Sequence, residues 1–143
     1  MPHLDRESLI SRARANRRCA HAPYSEYRSG AAVLDDDGEV HDGALVENVA
    51  LGLSMCAERV ALHSTIAAGG APRHLVLAAP LTDGEITWPC GACLQTALEL
   101  GGPQLTITAA APGNVDAVSQ SATVGELLPS GPFRPAHALG GRT

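Results

Sequence analysis

Apolar and polar positions in the first third of the chain follow two different periods. Residues 4–20 carry apolar side chains among charged ones at the loose spacing of a helix. Two short runs of β-type composition, 28–34 and 39–47, flank Asp35-Asp36-Asp37-Gly38, a sequence that favours a tight turn. The pattern therefore predicts a helix followed by a β-hairpin.

The central part of the chain changes from a helical to an extended pattern. Ser54 is the predicted N-cap of a helix over about 55–68, which Gly69-Gly70 ends. The apolar run at 74–79 then predicts a buried strand.

The C-terminal part repeats this alternation. A second helix over about 91–100 is expected to stop at Gly101-Gly102-Pro103, and 104–110 is a predicted strand. A short late element is expected near 123–128, before an irregular end rich in Pro and Gly. The order β-β-α-β-α-β predicts an α/β fold, with a mixed sheet covered by helices.

The same order predicts where a ligand binds. If the strands that precede the two central helices are parallel neighbours, both helices begin at the same edge of the sheet. Ligand sites in open α/β sheets form at such edges. Residues near the starts of the two helices are therefore expected to meet, although they lie far apart in the sequence.

Length and composition favour one domain over residues 1–143, with 45% hydrophobic residues available for a core. No apolar run is long enough to cross a membrane, and the first residues lack the pattern of a secretory signal. We therefore expect a cytoplasmic protein with no membrane partner. In that compartment the four cysteines are expected to bind metal or to act in catalysis, because disulfides are rare there.

Charge narrows the class of partner. The formal net charge is −5 and all basic residues are arginines, five of which lie in the N-terminal segment and form a possible basic face. They are Arg6, Arg12, Arg14, Arg17 and Arg18. The rest of the chain is acidic, and only four aromatic residues are available to stack on bases. This balance disfavours nucleic acid as a partner and favours a small-molecule substrate.

Three cysteines and one glutamate form the motif with the most specific chemistry. Cys56-Ala57-Glu58-Arg59 and Pro89-Cys90-Gly91-Ala92-Cys93 together read C-x-E … P-C-x-x-C. This is the three-thiolate form of the zinc deaminase signature, in which a zinc-activated water attacks the amine-bearing carbon of a nucleobase. The motif predicts Zn²⁺ as the cofactor.

The spacing of the cysteines fits one shared ion. Cys90 and Cys93 are three residues apart at a helix start, so their sulfur atoms lie on one face, and Cys56 opens the other helix. Helix N-termini favour the thiolate form that the metal requires. Three ligands leave one tetrahedral position open, which is typical of a catalytic zinc site.

Two charged residues beside Cys56 are expected to support the chemistry. Glu58 is two residues further along the helix, so we expect it to line the pocket and carry protons instead of binding the metal. Three thiolates on one Zn²⁺ leave an excess negative charge, and Arg59 is expected to compensate it through hydrogen bonds to sulfur.

Two other interpretations of the cysteines remain open at this point. Cys90-Gly91-Ala92-Cys93 alone resembles a thioredoxin-like redox pair, and a closed structural zinc site could use Cys19 as a fourth ligand. Either would make the chain a non-catalytic or redox module. Neither explains the glutamate two residues after Cys56.

Further short motifs occur around the cysteines. They are His21-Ala22-Pro23-Tyr24-Ser25, Gly30-Ala31-Ala32, Val46-Glu47-Asn48 and Glu126-Leu127-Leu128-Pro129. With them, the chain resembles the small cytidine deaminase family over most of its length. The resemblance implies a three-layer α/β/α domain with a mixed five-stranded sheet, which hydrolyses cytidine or deoxycytidine to the uridine product and ammonia.

The resemblance also implies the cofactor and the assembly. Zn²⁺ on Cys56, Cys90 and Cys93, Glu58 as proton shuttle, and a homotetramer that shares residues between active sites are all expected from it. So is a role in nucleoside metabolism and pyrimidine salvage.

Substrate contacts follow from the same resemblance, with several changes of residue. The expected contacts are Tyr27, Leu45, Glu47, Asn48, Trp88 and Phe133, with Gln95 placed behind the metal ligands. Tyr27 stands where a Phe commonly packs on the pyrimidine, and Trp88 replaces a small residue before Pro-Cys. Phe133 is near the position at which family members send an aromatic side chain into a neighbouring subunit's pocket.

The change at Leu45 bears on the substrate. Leu45 stands where the family has the asparagine that contacts the ribose, while the partner acid is kept as Glu47. A buried ribose hydroxyl without a partner would lose about 1–3 kcal/mol. The alternative function is therefore deamination of a modified cytosine nucleoside such as blasticidin S, or of a free cytosine-type base.

Overall fold

Helices and strands alternate through residues 5–113 and 118–135, the part of the chain that the computed structural model describes. The helices are α1 (Arg6–Asn16), α2 (Ala57–Ala67), α3 (Gly91–Gly101) and α4 (Val124–Leu127). The strands are β1 (Gly30–Asp35), β2 (Val40–Ala44), β3 (Pro72–Ala78), β4 (Thr106–Ala110) and β5 (Ser119–Thr123). None of these helices has the length and hydropathy that a membrane crossing requires.

The strands form one mixed sheet in the order β2-β1-β3-β4-β5. β3 and β4 pair in parallel, while the other neighbouring strands are antiparallel. Gly30, the first residue of β1, pairs with Ala44 at the end of β2 and with Ala78 at the end of β3. The predicted hairpin and the predicted mixed sheet are both confirmed.

Side chains of β1 alternate between the two faces of this sheet. Ala31 and Val33 pack against α2 and α3, whereas Ala32 packs in a second cluster with Leu9 and Ile10 of α1. This is the two-residue period of an extended strand with both faces covered. The helices therefore lie on both sides of the sheet, which confirms the three-layer α/β/α architecture.

A glycine on β2 allows α2 to lie close to the sheet. A Cβ atom at Gly43 would overlap the backbone carbonyl of Ala57 and approach the backbone nitrogen of Ala61 at 2.7 Å. Only glycine leaves room for this contact. The first turn of α2 is thereby held against the strand that precedes it.

Some local predictions were wrong. Cys56, not Ser54, is the N-cap of α2, and the Ser54 hydroxyl instead accepts a hydrogen bond from the backbone N–H of Asn48. The first helix is shorter than predicted, because Asp5 caps it and a 3₁₀ turn replaces it at Arg17–Cys19. β5 was not predicted from the pattern of residues, since its segment Ser-Gln-Ser-Ala-Thr has little hydrophobic character.

The expected arrangement of the two strands before α2 and α3 also needs correction. β2 and β3 run in the same direction but are not neighbours, because β1 lies between them and is antiparallel to both. Their carboxyl ends still reach the same edge of the sheet. Both helices therefore begin near that edge, together with the first residues of β1.

Candidate active site

The N-termini of α2 and α3 bring three cysteines together at this edge. Cys56 and Cys90 are the N-cap residues of the two helices, and both have extended backbone dihedral angles. Cys93 lies one turn into α3 and is buried. The sequence predicted this convergence, and the sheet topology supplies it.

The sulfur atoms are close enough to share one ion. The Sγ atom of Cys90 lies 4.0 Å from that of Cys56 and 3.4 Å from that of Cys93, and all three lie within 4.8 Å of one another. Three thiolates at about 2.3 Å from one tetrahedral Zn²⁺ would be about 3.8 Å apart. The donor set and its spacing therefore fit zinc.

Arg59 contacts this cluster from the first turn of α2. Its Nη2 atom donates a hydrogen bond to the Sγ atom of Cys56 at 3.6 Å. The hydrogen bond to Cys56 raises the pKa of the Arg59 guanidinium, so this side chain stays charged. A fixed positive charge beside a thiolate compensates part of the negative charge that three sulfur ligands bring.

The thiols interact strongly with one another. The hydrogen bond from Cys93, followed by that from Arg59, lowers the pKa of Cys56 to about 5 in spite of its burial. The same bond with Cys56, together with burial, raises the pKa of Cys93. One thiolate is thus already stabilised next to Arg59, and binding of a metal ion would release the remaining thiol protons.

Glu58 lies beside the cysteines at the second position of α2. Its side chain is buried, with 4% of its surface exposed. Burial, and then the negative charge of Cys56, raise the pKa of Glu58 to about 7. Glu58 lies outside the cluster of possible metal ligands formed by the three cysteines, so the structure agrees with the expectation that it faces the pocket.

A cavity of about 190 Å³ opens directly in front of these groups. Its lining includes two residues of the cysteine cluster, Cys56 and Cys90, together with Glu58. It also includes three of the expected substrate contacts, Tyr27, Leu45 and Trp88. The volume is below the roughly 300–1,000 Å³ of most small-molecule sites. The cavity formed by this chain alone is therefore small for a ligand of nucleoside size.

The two aromatic side chains of the cavity have different surroundings. Burial raises the pKa of Tyr27, although the nearby Thr87 hydroxyl opposes this shift. Trp88 packs against the main hydrophobic core and also borders a second cavity of about 420 Å³, which Leu81, Ile86 and Val118 help to line. The indole ring of Trp88 is therefore a wall between the two spaces.

Glu47 and Asn48 lie in the loop after β2, outside the residues that line the cavity. The Glu47 carboxylate accepts hydrogen bonds from the backbone N–H groups of Tyr24 and Ser25, at 3.0 and 3.3 Å. Its interaction with Ser25 lowers the pKa of Glu47. The Asn48 side chain accepts a hydrogen bond from the backbone N–H of Ala50. Both side chains hold loop backbone in place.

Neither Gln95 nor Phe133 is among the residues that line the cavity. Gln95 donates a hydrogen bond to the carbonyl of Pro132 at 2.7 Å, so it anchors the C-terminal segment. Phe133 lies near Gly102, just beyond the C-terminal end of α3, whereas the cysteines lie at the N-terminal end. An eleven-residue helix is about 16 Å long, so Phe133 does not reach the cavity of its own chain.

Two polar residues of the cavity were not predicted. Ser29 is buried just before β1, and Thr87 precedes Trp88 and donates a hydrogen bond to the carbonyl of Pro80. No motif marks them in the sequence. Only the pairing of Gly30 with Ala78 shows that Ser29 lies at the edge of the sheet that holds the site.

Cys19, the fourth cysteine, is exposed and lies outside the metal-binding cluster. A closed four-cysteine zinc site that includes Cys19 is therefore not formed in the described part of the chain. All four cysteines are free thiols.

Comparison with known proteins identifies the kind of site. Residues 2–83 match the family described as the cytidine and deoxycytidylate deaminase zinc-binding region. This match includes Cys56 and Glu58 and ends before Cys90.

Full-length relatives extend the similarity through the second cysteine motif. The chain is 41% identical over 132 residues to a cytidine deaminase of Mycobacterium tuberculosis, covering 90% of each chain. It is also 41% identical over 127 residues to a cytidine deaminase of Halalkalibacterium halodurans, covering 88% of this chain and 92% of that one. The crystal structure of cytidine deaminase from Burkholderia pseudomallei matches with a TM-score of 0.82 and 37% identity, covering 90% of this chain and 99% of the other.

Proposed function

We propose that this chain, which belongs to the cytidine deaminase family of zinc-dependent aminohydrolases, converts cytidine or deoxycytidine to the uridine product and ammonia. The observation that carries this proposal is the meeting of three Sγ atoms and the buried Glu58 carboxyl at the end of one cavity. Zinc is the cofactor.

The reaction replaces one bond to carbon by another. The oxygen of a water molecule bonds to C4 of the cytosine ring, and the bond from C4 to the exocyclic nitrogen breaks. The nitrogen leaves as ammonia after it gains a proton, and C4 keeps the oxygen as a carbonyl group. One water molecule is consumed and no redox partner is needed.

Cys56, Cys90 and Cys93 would hold the zinc ion. When bound, Zn²⁺ supplies Lewis acidity, which makes water a competent nucleophile at neutral pH. The contribution of Arg59 is to donate its hydrogen bond to Cys56 and so to reduce the charge that this sulfur carries.

Glu58 is the proposed proton carrier. Its carboxyl lines the cavity next to Cys56 and Cys90, and little of it is exposed to solvent. At this position its Oε atoms would take a proton from water and deliver it to the ring nitrogen, and later to the departing amine. A buried carboxyl keeps these transfers within the site.

The other residues of the cavity are proposed to hold the base. Tyr27 and Trp88 would contact the ring, and Leu45 would lie toward the sugar. The hydrogen bonds of Glu47 to the loop before β1 suit a role in shaping this end of the site.

The test is the variant Glu58→Gln. It should keep stoichiometric zinc by elemental analysis and lose turnover of cytidine, measured by ammonia release. The amide has almost the same shape but cannot carry the proton. Turnover near that of the unmodified enzyme would contradict the role of Glu58, and a wild-type protein that does not release ammonia from cytidine or deoxycytidine would contradict the function.

A homotetramer that shares residues between sites is part of the proposal. Val49, Leu51 and Leu53 expose 78%, 80% and 68% of their surfaces in the loop between β2 and α2, which is unusual for three neighbouring apolar residues. The small cavity within one chain, and the position of Phe133 at the far end of α3, support completion of the site by another subunit. Light scattering on the purified protein would measure the mass of the assembly.

We further propose that the enzyme works as one domain in the cytoplasm, in pyrimidine salvage. The exposed thiol of Cys19, which lies outside the metal-binding cluster, favours a reducing compartment, because such a thiol would be oxidised outside the cell.

A further inference from the structure

Four arginines surround a cavity of about 500 Å³ that is separate from the cysteine site. Arg14, Arg17 and Arg18 come from the end of α1 and the 3₁₀ turn after it, and Arg28 comes from the loop before β1. Pro112 and Gly113, which follow β4, complete the wall. The proposed deaminase reaction uses none of these residues.

Backbone carbonyls hold each guanidinium group in place. The Nε atoms of Arg14, Arg17 and Arg18 donate to the carbonyls of Ala111, Arg28 and Ala15, at 3.0, 2.9 and 3.3 Å. Arg28 donates through Nη1 to the carbonyl of Ala20 at 2.9 Å.

These bonds leave donors available for a ligand. Each of the four groups keeps at least one terminal nitrogen without a protein partner among the described residues. The side chains are therefore oriented in advance, while part of their hydrogen-bonding capacity remains unused.

No carboxylate neutralises this cluster within residues 5–113 and 118–135. In this part of the chain, the arginine that forms a salt bridge is Arg12 of α1, whose Nε atom lies 2.9 Å from Oδ1 of Asp42. Arg12 does not line the cavity. Four like charges around one space repel one another, and an anion in that space would remove the repulsion.

The end of α1 explains only part of the cluster. Cations are favoured near the C-terminus of a helix, which accounts for Arg14, Arg17 and Arg18. It does not account for Arg28, which lies outside the helix and adds a fourth charge.

The hydrogen-bonding groups of Arg14 are not all paired. Its Nη2 atom is buried and has no hydrogen-bond partner in the described structure. An unpaired buried donor is unfavourable, and the side chain that carries it is one of those that line the cavity.

The loop after β4 is shaped around Arg14. Gly113 has φ +99, a conformation that favours glycine, and a Cβ atom there would lie 2.6 Å from Cδ of Arg14. Glycine at this position lets the long side chain pass beside the loop and reach the cavity.

We propose that this cavity is a binding site for a phosphate-bearing small anion, such as a polyphosphate or the phosphate chain of a nucleotide. Guanidinium groups recognise phosphate through paired, charge-assisted hydrogen bonds, and several of them around one space match a ligand with several phosphoryl oxygens. The net charge of the whole chain is −5, so this positively charged cluster is a local exception that would attract anions to one place.

The experiment is calorimetric titration of the zinc-loaded, full-length protein with inorganic tripolyphosphate and, separately, with ATP. The wild type should bind tripolyphosphate at one site per chain, with an affinity that falls as salt rises. Arg14→Gln and Arg18→Gln should each weaken binding by roughly tenfold or more, because each removes a charge-assisted contact.

Arg73→Gln is the matched control, since Arg73 is exposed on β3 and lies outside the cavity. It makes the same change of charge and should bind like the wild type. Among the described residues, the Arg18 side chain bonds only to the carbonyl of Ala15 on the adjoining helix. Its variant is therefore expected to test the site without a loss of folding, which a thermal melt verifies.

The two titrants identify the source of the phosphate. Equal affinity assigns the site to the phosphate chain alone, and tighter binding of ATP adds a contact with the nucleoside; both results support the proposal. Absence of binding to either titrant overturns it. So does weakening by Arg73→Gln that equals the effect at Arg14 and Arg18, or binding that none of the substitutions changes. The experiment measures binding and not deamination. Absence of binding would therefore overturn this proposal without contradicting the proposed function.

Discussion

The two ends of the catalytic cavity are built in different ways. At the metal end, Cys56, Cys90 and Glu58 lie within the first turns or at the caps of α2 and α3, which pack against the sheet. At the other end, Leu45 lies in the loop after β2, and the nearby acid Glu47 holds the backbone of another loop. Helices set the metal end, and loops set the other end, which we propose holds the sugar and call the sugar end.

This difference has a chemical cause. Metal coordination requires three donors at defined distances, and helix caps on a packed sheet provide such precision. A sugar can be held by many combinations of loop side chains and backbone groups. We therefore expect the residue at position 45, the proposed sugar contact, to affect substrate preference without disturbing the zinc chemistry.

The largest effect on activity is expected when a metal ligand is removed. Cys93→Ser should lose zinc and with it all measurable deamination, because a serine hydroxyl is a poor ligand for Zn²⁺ beside two thiolates. Zinc content and ammonia release are the two measurements. Cys19→Ser is the matched control, since Cys19 is exposed and lies outside the cluster. Full activity in Cys93→Ser would show that the cluster does not hold the catalytic metal.

A smaller effect is expected when the charge behind the cluster is removed. Arg59→Gln should lower zinc affinity by about 10–100-fold, because the Cys56 thiolate loses the guanidinium that stabilises it. Competition with a chromogenic zinc chelator measures this change. Arg73→Gln makes the same change of charge elsewhere and should leave zinc affinity unaltered. Equal zinc affinities in the wild type, Arg59→Gln and Arg73→Gln would show that Arg59 does not stabilise the bound metal.

The sugar end should respond to a single polar substitution. Leu45→Asn should raise the preference for cytidine over 2′,3′-dideoxycytidine, by about 1–3 kcal/mol if the new amide pairs with a buried ribose hydroxyl. The ratio of the two kcat/KM values measures this preference, and zinc content should not change. Leu81→Asn is the control, because Leu81 is exposed and lies outside this cavity. An unchanged ratio would place the sugar away from Leu45.

The smallest effect concerns acid stability at the hairpin turn, outside both ends of the cavity. Asp35 is buried there, 2.7 Å from Nε2 of His41. Burial raises the pKa of Asp35, but hydrogen bonds from His41 and from the backbone N–H groups of Glu39 and Asp37 outweigh it, so the pKa lies below its ordinary value of 3.8.

A lowered carboxyl pKa stabilises the folded state at pH values above the unfolded pKa. This contribution is lost as the pH falls from about 4 through the lower folded pKa. The free energy of unfolding from urea titrations should therefore fall less steeply in this range for Asp35→Asn than for the wild type. Parallel curves would contradict the role of Asp35. The comparison also separates acid unfolding from acid release of zinc, which follows protonation of the thiolates.

Much of the site could be predicted because it is encoded in short spacings. The cysteine motifs place Cys90 and Cys93 on one helix face, and Cys56 and Glu58 within three residues of each other. The hairpin and the two central helices follow from turn residues and helix-ending glycines. β5 could not be predicted in this way, since it is defined by its pairing with β4 and not by its own apolar residues.

Other features depend on contacts between distant residues. Ser29 reaches the cavity because β1 lies between β2 and β3, and Thr87 reaches it from the loop between β3 and α3. Glu47 is engaged because the loop before β1 passes beside it. Motifs in the sequence could not show that Gln95 turns to the carbonyl of Pro132.

The amino-acid sequence alone determined the metal, its three sulfur ligands, the acid beside them and the α/β class, because ligand spacing and hydrophobic periodicity are local properties. The tertiary structure decided that β1 separates β2 from β3, that Trp88 divides two cavities, and that Arg28 joins three arginines of the first helical segment around one space. Those features depend on contacts between segments that are far apart in the sequence, so the packing of whole helices and strands decides them.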